Sequence, residues 1–259
     1  MNTATDAAAP GDFAVNKVTL DAPWRWLAAG WSDLWQRPGI SLGYGVVFVV
    51  VSVVLVGGLV LVDLSSLALA LAAGFMLVGP LLAVGLYETS RRLETGEPIT
   101  ARTAALVATR SPSQLAFLGI ILMLLLLAWV RIAMLLFALF FGPGGFPPLA
   151  EFVPILLFTS KGIGLLAVGS AIGGMLALLV FAISAVSVPM LMARDIDAVT
   201  AVVTSVNAVR RNIGPMLLWG WLIVLLTAFG IATLFVGLIV TFPLVGHATW
   251  HAYRALVPD

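Results

Sequence analysis

The chain has only two histidines, His247 and His251, spaced i, i+4. On a helix that spacing stacks both rings on one face, the arrangement with which a single helix offers two nitrogens to one metal ion. A zinc or copper site would need further ligands from another helix. Glu88 is the candidate, because it follows Pro80 by eight residues as His251 follows Pro243. Two histidines one turn apart cannot supply opposite axial ligands to one haem iron. The same segment, HATWHAYR, reads equally well as an interfacial belt in which His247, Trp250 and Tyr253 meet lipid headgroups. Arg131 interrupts an apolar run, and an arginine at membrane depth is normally paired, cavity-facing or functional. Counted from Gln114 it lies about 25 Å along a helix, where it can snorkel to the far interface, with Asp63 or Glu151 as partner. Glu88 and Arg92 fit an i, i+4 ion pair at a helix end, closed by Gly96 and Pro98.

Other chemistry is excluded by what the sequence lacks. No cysteine is present, which removes disulfides, thiolate-held clusters and cysteine nucleophiles. No HExxH, GxSxG, P-loop or GxGxxG stretch occurs, so neither a catalytic residue nor a cofactor is expected. No basic, aromatic-interleaved stripe points to nucleic acid.

The elements that carry these residues are membrane helices. Hydrophobic residues make up 61% of the chain and charged residues 10%, and the mean hydropathy is +1.13. A soluble surface cannot be covered with so few charges. The apolar runs are continuous rather than alternating, which selects helices. Six spans are expected, near Ile40–Val62, Leu64–Tyr87, Leu115–Phe141, Gly162–Met192, Met216–Ala232 and Leu234–Tyr253, with a tight turn near Gly230 between the last two. Lys17, Arg25, Arg37, Arg91, Arg92, Arg102, Arg110, Arg194, Arg210, Arg211 and Arg254 then fall on one side, and only Arg131 and Lys161 on the other. That bias makes the rich side, with both termini, cytoplasmic. The first twenty residues lack a basic region followed by an apolar one, so no secretory signal is expected there; residues 1–20 read as a flexible cytoplasmic segment, and 21–259 as one membrane domain.

Three times a helix with charged and apolar faces meets an arginine–proline break and then a long apolar run. The first carries Trp24, Leu27, Ala28, Trp31 and Leu34 before Arg37–Pro38; the second Ile99, Thr103, Leu106, Val107 and Arg110 before Pro112; the third Ile196, Val199, Val203 and Val206 before Arg210, Arg211 and Pro215. Asp21, Thr100 and Asp195 are the expected N-caps. Such helices either lie in the cytoplasmic lipid interface or pack on the end of their own bundle. Pro80, Pro189 and Pro243 mark the returning helices. The fold expected is therefore all-α: a polytopic bundle of six transmembrane helices with cytoplasmic interfacial amphipathic helices, a degenerate threefold repeat of a two-helix unit over about 21–97, 98–194 and 195–257. Gly169 and Gly173 form a GxxxG step, and Ala70 and Gly74 a similar one, for close helix packing. The proline-rich segment from Phe141, with Phe146, Phe152 and Phe158, should cap the far side.

The stretches GPLLAVGLYETSRRLETGEP, FAISAVSVPMLMARDIDAVTAV and PMLLWGWLIVLL with PLVGHATWHAYRALV resemble an uncharacterised family of bacterial integral membrane proteins, a domain of unknown function. Some of its members are labelled as resembling cytochrome c oxidase subunit I, yet two histidines are too few for two haems and copper. The resemblance implies a multi-pass protein of the inner membrane. The leading expectation is a non-catalytic accessory or scaffold protein, whose partners are membrane lipids and another membrane subunit or a second copy. The alternative is a transporter or binding protein for lipids or small molecules, with a site at Pro243, Gly246 and His247 and the matching Pro80 and Gly85. A third reading is metal or haem binding through His247 and His251.

Overall fold

The computed structural model describes residues 13–105, 109–142 and 147–258; Leu106, Val107 and Phe146 therefore lie outside the described residues. The helices are α1 (Ala22–Gln36), α2 (Pro38–Leu61), α3 (Leu67–Leu82), α4 (Val84–Thr95), α5 (Ala101–Ala105), α6 (Pro112–Phe141), α7 (Leu149–Phe158), α8 (Ser160–Ser184), α9 (Ser187–Ala193), α10 (Ala198–Arg211), α11 (Ile213–Ala232) and α12 (Leu238–Leu256). Prolines open the long helices: Pro38 and Pro112 sit in the first turns of α2 and α6, where a missing N–H costs nothing and φ is already helical. Prolines also divide them. α8 ends before Pro189, which stands in the first turn of α9, and α3 ends shortly after Pro80. Gly96 closes α4 with φ +70°, the left-handed conformation that glycine adopts without penalty.

Among the described residues five helical segments are long and apolar enough to cross a membrane: Pro38–Leu61, Leu67–Thr95, Pro112–Phe141, Ser160–Ala193 and Ile213–Ala232. The sixth expected span corresponds to α12. It is 19 residues long and carries His247, Thr249, Trp250, His251, Tyr253 and Arg254 in its last turns, which keeps it out of that group. A helix surrounded by protein needs no lipid-facing apolar surface, and α12 packs against α1, α2, α4 and α11. Its break from α11 lies at Thr233–Gly237, where Leu234 and Phe235 have positive φ. Gly230 is inside α11 and receives the side chain of Leu238, so the turn falls a few residues later than the sequence suggests.

Glycine sets the closest approach in the bundle. Pro243 cannot donate to the carbonyl of Ile239 one turn earlier. The α-carbon of Gly45 on α2 packs directly on that carbonyl: a Cβ there would stand 2.3 Å from the oxygen. The two small-residue steps converge differently. Gly74 of α3 and Gly173 of α8 both receive the indole of Trp129 from α6, whose Nε1 donates to the Ala70 carbonyl at 2.7 Å. Gly169 touches nothing in this way, so the GxxxG step seats a ring rather than a neighbouring backbone.

The proline-rich segment holds the short helix α7. Phe137, Phe141 and Phe152 pack ring on ring there, with centroids 5.2–6.2 Å apart, while Phe158 is exposed. Ser65 accepts from Leu149 N at 3.1 Å, and Ser66 donates to the Pro147 carbonyl, which fastens this element to the turn before α3.

α1 turns Trp26, Gly30, Asp33 and Leu34 into the protein and leaves Trp24, Trp31 and Trp35 about half exposed. On α10 the buried face is Ala198, Ala201, Thr204, Ser205 and Ala208, whereas Val199 and Val203 are exposed. The more apolar stripe of α10 thus faces away from the bundle. Its N-cap is Asp197, which accepts from Thr200 N at 2.9 Å, rather than Asp195. Thr100 caps α5 by accepting from Thr103 N at 3.1 Å. Asp21 occupies the N-cap position of α1 but makes no side-chain cap bond; its carboxylate pairs with Arg25. Residues 13–20 precede α1 as an extended stretch tied to the bundle, with Asn16 N donating to Leu256 O at 2.8 Å and Val18 N to Asn212 Oδ1 at 2.8 Å.

Candidate functional site

Four helices bring their polar side chains to one point around α12. Ser41 from the first turns of α2 lies 2.9 Å from His247 Nε2. Ser90 from α4 lies 2.8 Å from His247 Nδ1, and its hydroxyl donates to Asp33 Oδ2 of α1 at 2.6 Å. The same oxygen accepts from His251 Nε2 at 2.8 Å. Ser41, Ser90 and His247 are 0–1% exposed and Asp33 is 6% exposed, so each must find its partners within the protein.

The inventory of protons fixes the direction of the chain. A hydroxyl has one proton, and that of Ser90 goes to Asp33. The Ser90 oxygen therefore accepts from His247 Nδ1–H. With a neutral imidazole, Nε2 accepts the Ser41 proton, and every member is satisfied. This is not the order of a hydrolytic triad, in which histidine stands between serine and carboxylate; here Ser90 intervenes, and Ser41 has no exposed surface to meet a substrate. The arrangement joins α1, α2, α4 and α12, and it is a continuous hydrogen-bonded path from the partly exposed His251 to Ser41.

The sequence places His247 and His251 together correctly, but Asp33, Ser41 and Ser90 carry no signal there: they lie 57 to 218 positions from their partners. Glu88 is elsewhere. It is fully buried, and Arg91 Nε at 2.8 Å and Arg92 Nε at 2.5 Å occupy its two oxygens, as the i, i+4 spacing anticipates for Arg92. Among the described residues no three histidine, aspartate or glutamate side chains gather where they could hold a metal. HATWHAYR is not a lipid-facing belt, since His247, Trp250 and Tyr253 are 0–2% exposed. Trp250 Nε1 instead donates to Glu94 at 3.0 Å. Arg131 is exposed, and among the described residues neither Asp63 nor Glu151 forms an ion pair with it. Gly246 admits the Leu86 side chain, and Gly85 admits the Ala104 carbonyl and the Tyr44 ring; both are packing points.

Beside this network a cleft of about 350 Å³ opens between α3, α8, α11 and α12, and Pro80 and Gly246 are among its walls. A second, of about 600 Å³, runs on between α3, α6, α7 and α8. Both are lined by Met76, Gly174, Ala177, Trp221 and Val224, so they adjoin. The walls are apolar, and two of the hydroxyls along the first cleft are turned to their own helices: Ser184 donates to Val180 O at 2.8 Å and Thr249 to Val245 O at 2.7 Å.

The segment from α3 to α9, which contains three of the five apolar helical segments, matches one family model, described as predicted integral membrane protein (DUF2189), over residues 67–193. Residues 67–193 are thus similar to that family. The chain is an integral membrane protein with several apolar helices. The matched stretch supplies α3, α6 and α8, hence most of the walls of the larger cleft, together with Ser90 of the polar chain. The other members of that chain, Asp33, Ser41, His247 and His251, lie on helices outside the matched residues, as does the stretch PMLLWGWLIVLL. No curated protein and no solved structure matches the chain.

Proposed function

We propose that this protein binds the acyl portion of a membrane lipid in the lateral cleft between α3, α8, α11 and α12. The observation that carries this reading is the pair of adjoining apolar clefts among the spanning helices, the first of which has the volume of a small-molecule site, within about 300–1,000 Å³. A polar solute would find few free hydrogen-bond partners there, which argues against transport of one. An acyl chain needs none. The architecture assumed is six spans, with α12 as the sixth and most enclosed, in a bacterial inner membrane with both termini cytoplasmic. The arginine-rich connections support that orientation, and the three arginine–proline entries into α2, α6 and α11 support a repeated unit. A scaffold role retains one observation: α2 turns Val46, Val47, Val50, Val53 and Val54 outward, a face open to lipid or to a partner helix. Metal binding has less support, because both ring nitrogens of His247 are engaged.

The test is the Gly174→Trp substitution. Gly174 lines both clefts, and a Cβ there meets nothing within 4 Å, so an indole can fill the space without disturbing a backbone. The wild-type protein, purified in mild detergent and washed, should release near-stoichiometric lipid on extraction and mass spectrometry, whereas G174W should release several-fold less at unchanged melting temperature. Equal lipid content in the two proteins refutes the reading.

A further inference from the structure

We infer that the occupant of the cleft is an anionic phospholipid whose phosphate rests on Arg210 and Arg211. This rests on the reading of the cleft as an acyl-chain site and adds the headgroup. Four guanidiniums at this end of the bundle are already paired with carboxylates: Arg25 on Asp21, Arg91 and Arg92 on Glu88 and Glu97, Arg254 on Glu94. Arg210 and Arg211 differ from these four, and from the exposed Arg37, Arg102 and Arg110 in standing side by side. Both members of the pair are exposed, and among the described residues no carboxylate lies within ion-pair distance of either.

From this pair α11 leads directly to the cleft. Ile213, Leu217, Trp221 and Leu225 form one exposed stripe of α11, 47–59% accessible, at helical i, i+4 intervals, and Leu217 and Trp221 are also walls of the cleft. Trp221 stands ten residues beyond Arg211, about 15 Å along the helix axis. A chain descending from a phosphate at Arg210 and Arg211 therefore meets the cleft at the depth of the acyl region. On α10 the outward Val199 and Val203 precede the arginine pair on the exposed side of the bundle, an apolar-then-basic order suited to the lipid interface. The charge selects the lipid: two unneutralised cations favour a headgroup with net negative charge over a zwitterion, in which a bound ammonium would face the same pair.

The experiment uses the full chain, titrated in detergent with phosphatidylglycerol and with phosphatidylcholine of identical chains, bound lipid being counted by native mass spectrometry. The wild type should prefer phosphatidylglycerol by roughly tenfold or more. R210Q/R211Q should lose that preference while still taking up phosphatidylcholine. R37Q/R102Q removes the same charge from two other exposed arginines, so it should keep the preference. G174W should lose both lipids. The headgroup assignment is overturned if the wild type shows no preference, if R210Q/R211Q retains it, or if R37Q/R102Q loses it equally, which would mean a diffuse field only. Normal uptake of both lipids by G174W overturns the cleft reading instead. A melting temperature of R210Q/R211Q equal to wild type separates lost binding from lost folding.

Discussion

Replacing Gly45 with alanine should separate α2 from α12. The new methyl would stand 2.3 Å from the Ile239 oxygen, 2.8 Å from its α-carbon and 2.9 Å from its carbonyl carbon, against the roughly 3.5–4.0 Å at which carbon atoms rest in contact. All three are backbone atoms, so no side chain can swing away and the helices must part. Overpacking of this kind costs about 1–3 kcal/mol. The weak C–H···O contact to the carbonyl that Pro243 leaves unpaired adds about 0.5–1 kcal/mol to the loss. Gly43→Ala is the matched control: it lies on the same helix, and its Cβ meets nothing within 4 Å. Both variants gain the same helix propensity of about 0.5–1 kcal/mol, which cancels in the comparison. G45A should therefore be about 1.5–4 kcal/mol less stable than G43A in equilibrium unfolding with SDS in mixed micelles, read by tryptophan fluorescence. Equal stability of the two would refute the claim that this contact is closed by backbone on both sides.

The polar chain predicts an order of severity. Ser41→Ala removes a terminal donor and should cost about 0.5–1.5 kcal/mol, whereas Ser90→Ala strips partners from both Asp33 and His247 and should cost about 2–4 kcal/mol; the same unfolding assay with S41A as damaging as S90A would contradict the relay order. The hydrogen bonds from Arg91 pull the Glu97 carboxyl down from its ordinary 4.5 to about 2. A carboxyl depressed on folding stabilises above its unfolded value and loses that contribution as pH falls through the folded one. The melting temperature of the wild type should thus exceed that of E97Q at about pH 6, and the gap should close between about pH 4.5 and 2; a gap constant across that window would contradict the pairing.

The long helices were legible because membrane spans are written in consecutive residues. Arginine–proline breaks, the Gly96–Pro98 stop and the apolar runs are local signals, and four of the five apolar segments have boundaries within a few residues of those expected, while the one from Leu67 runs on to Thr95, past the expected end at Tyr87. α12 shows where that signal ends: hydropathy measures contact with lipid, and this helix contacts protein. Periodicity had the same weakness on α10, where Val199 and Val203 mark a face without saying what lies opposite; small residues such as Ala201 and Ser205 make the interior contact because they allow close approach. The polar chain was half legible. An i, i+4 histidine pair is visible in sequence, whereas Asp33, Ser41 and Ser90 are ordinary residues until folding brings them together. The echo between Pro80 and Pro243 suggested Glu88 as their companion, but two arginines within one turn of it were the stronger signal.

The seat of α1 on α12 has a consequence for biosynthesis. The earliest described helix to leave the ribosome finds its groove only when the latest one emerges, since Gly30 fits against the Ala248 backbone and Asp33 meets His251. Through most of translation a nascent chain would carry α1 without its seat, the buried face of Trp26, Gly30, Asp33 and Leu34 uncovered, and a product stopped before Gly237 would carry it so permanently. Such a chain displays its own incompleteness, in a form that a membrane protease or chaperone could read.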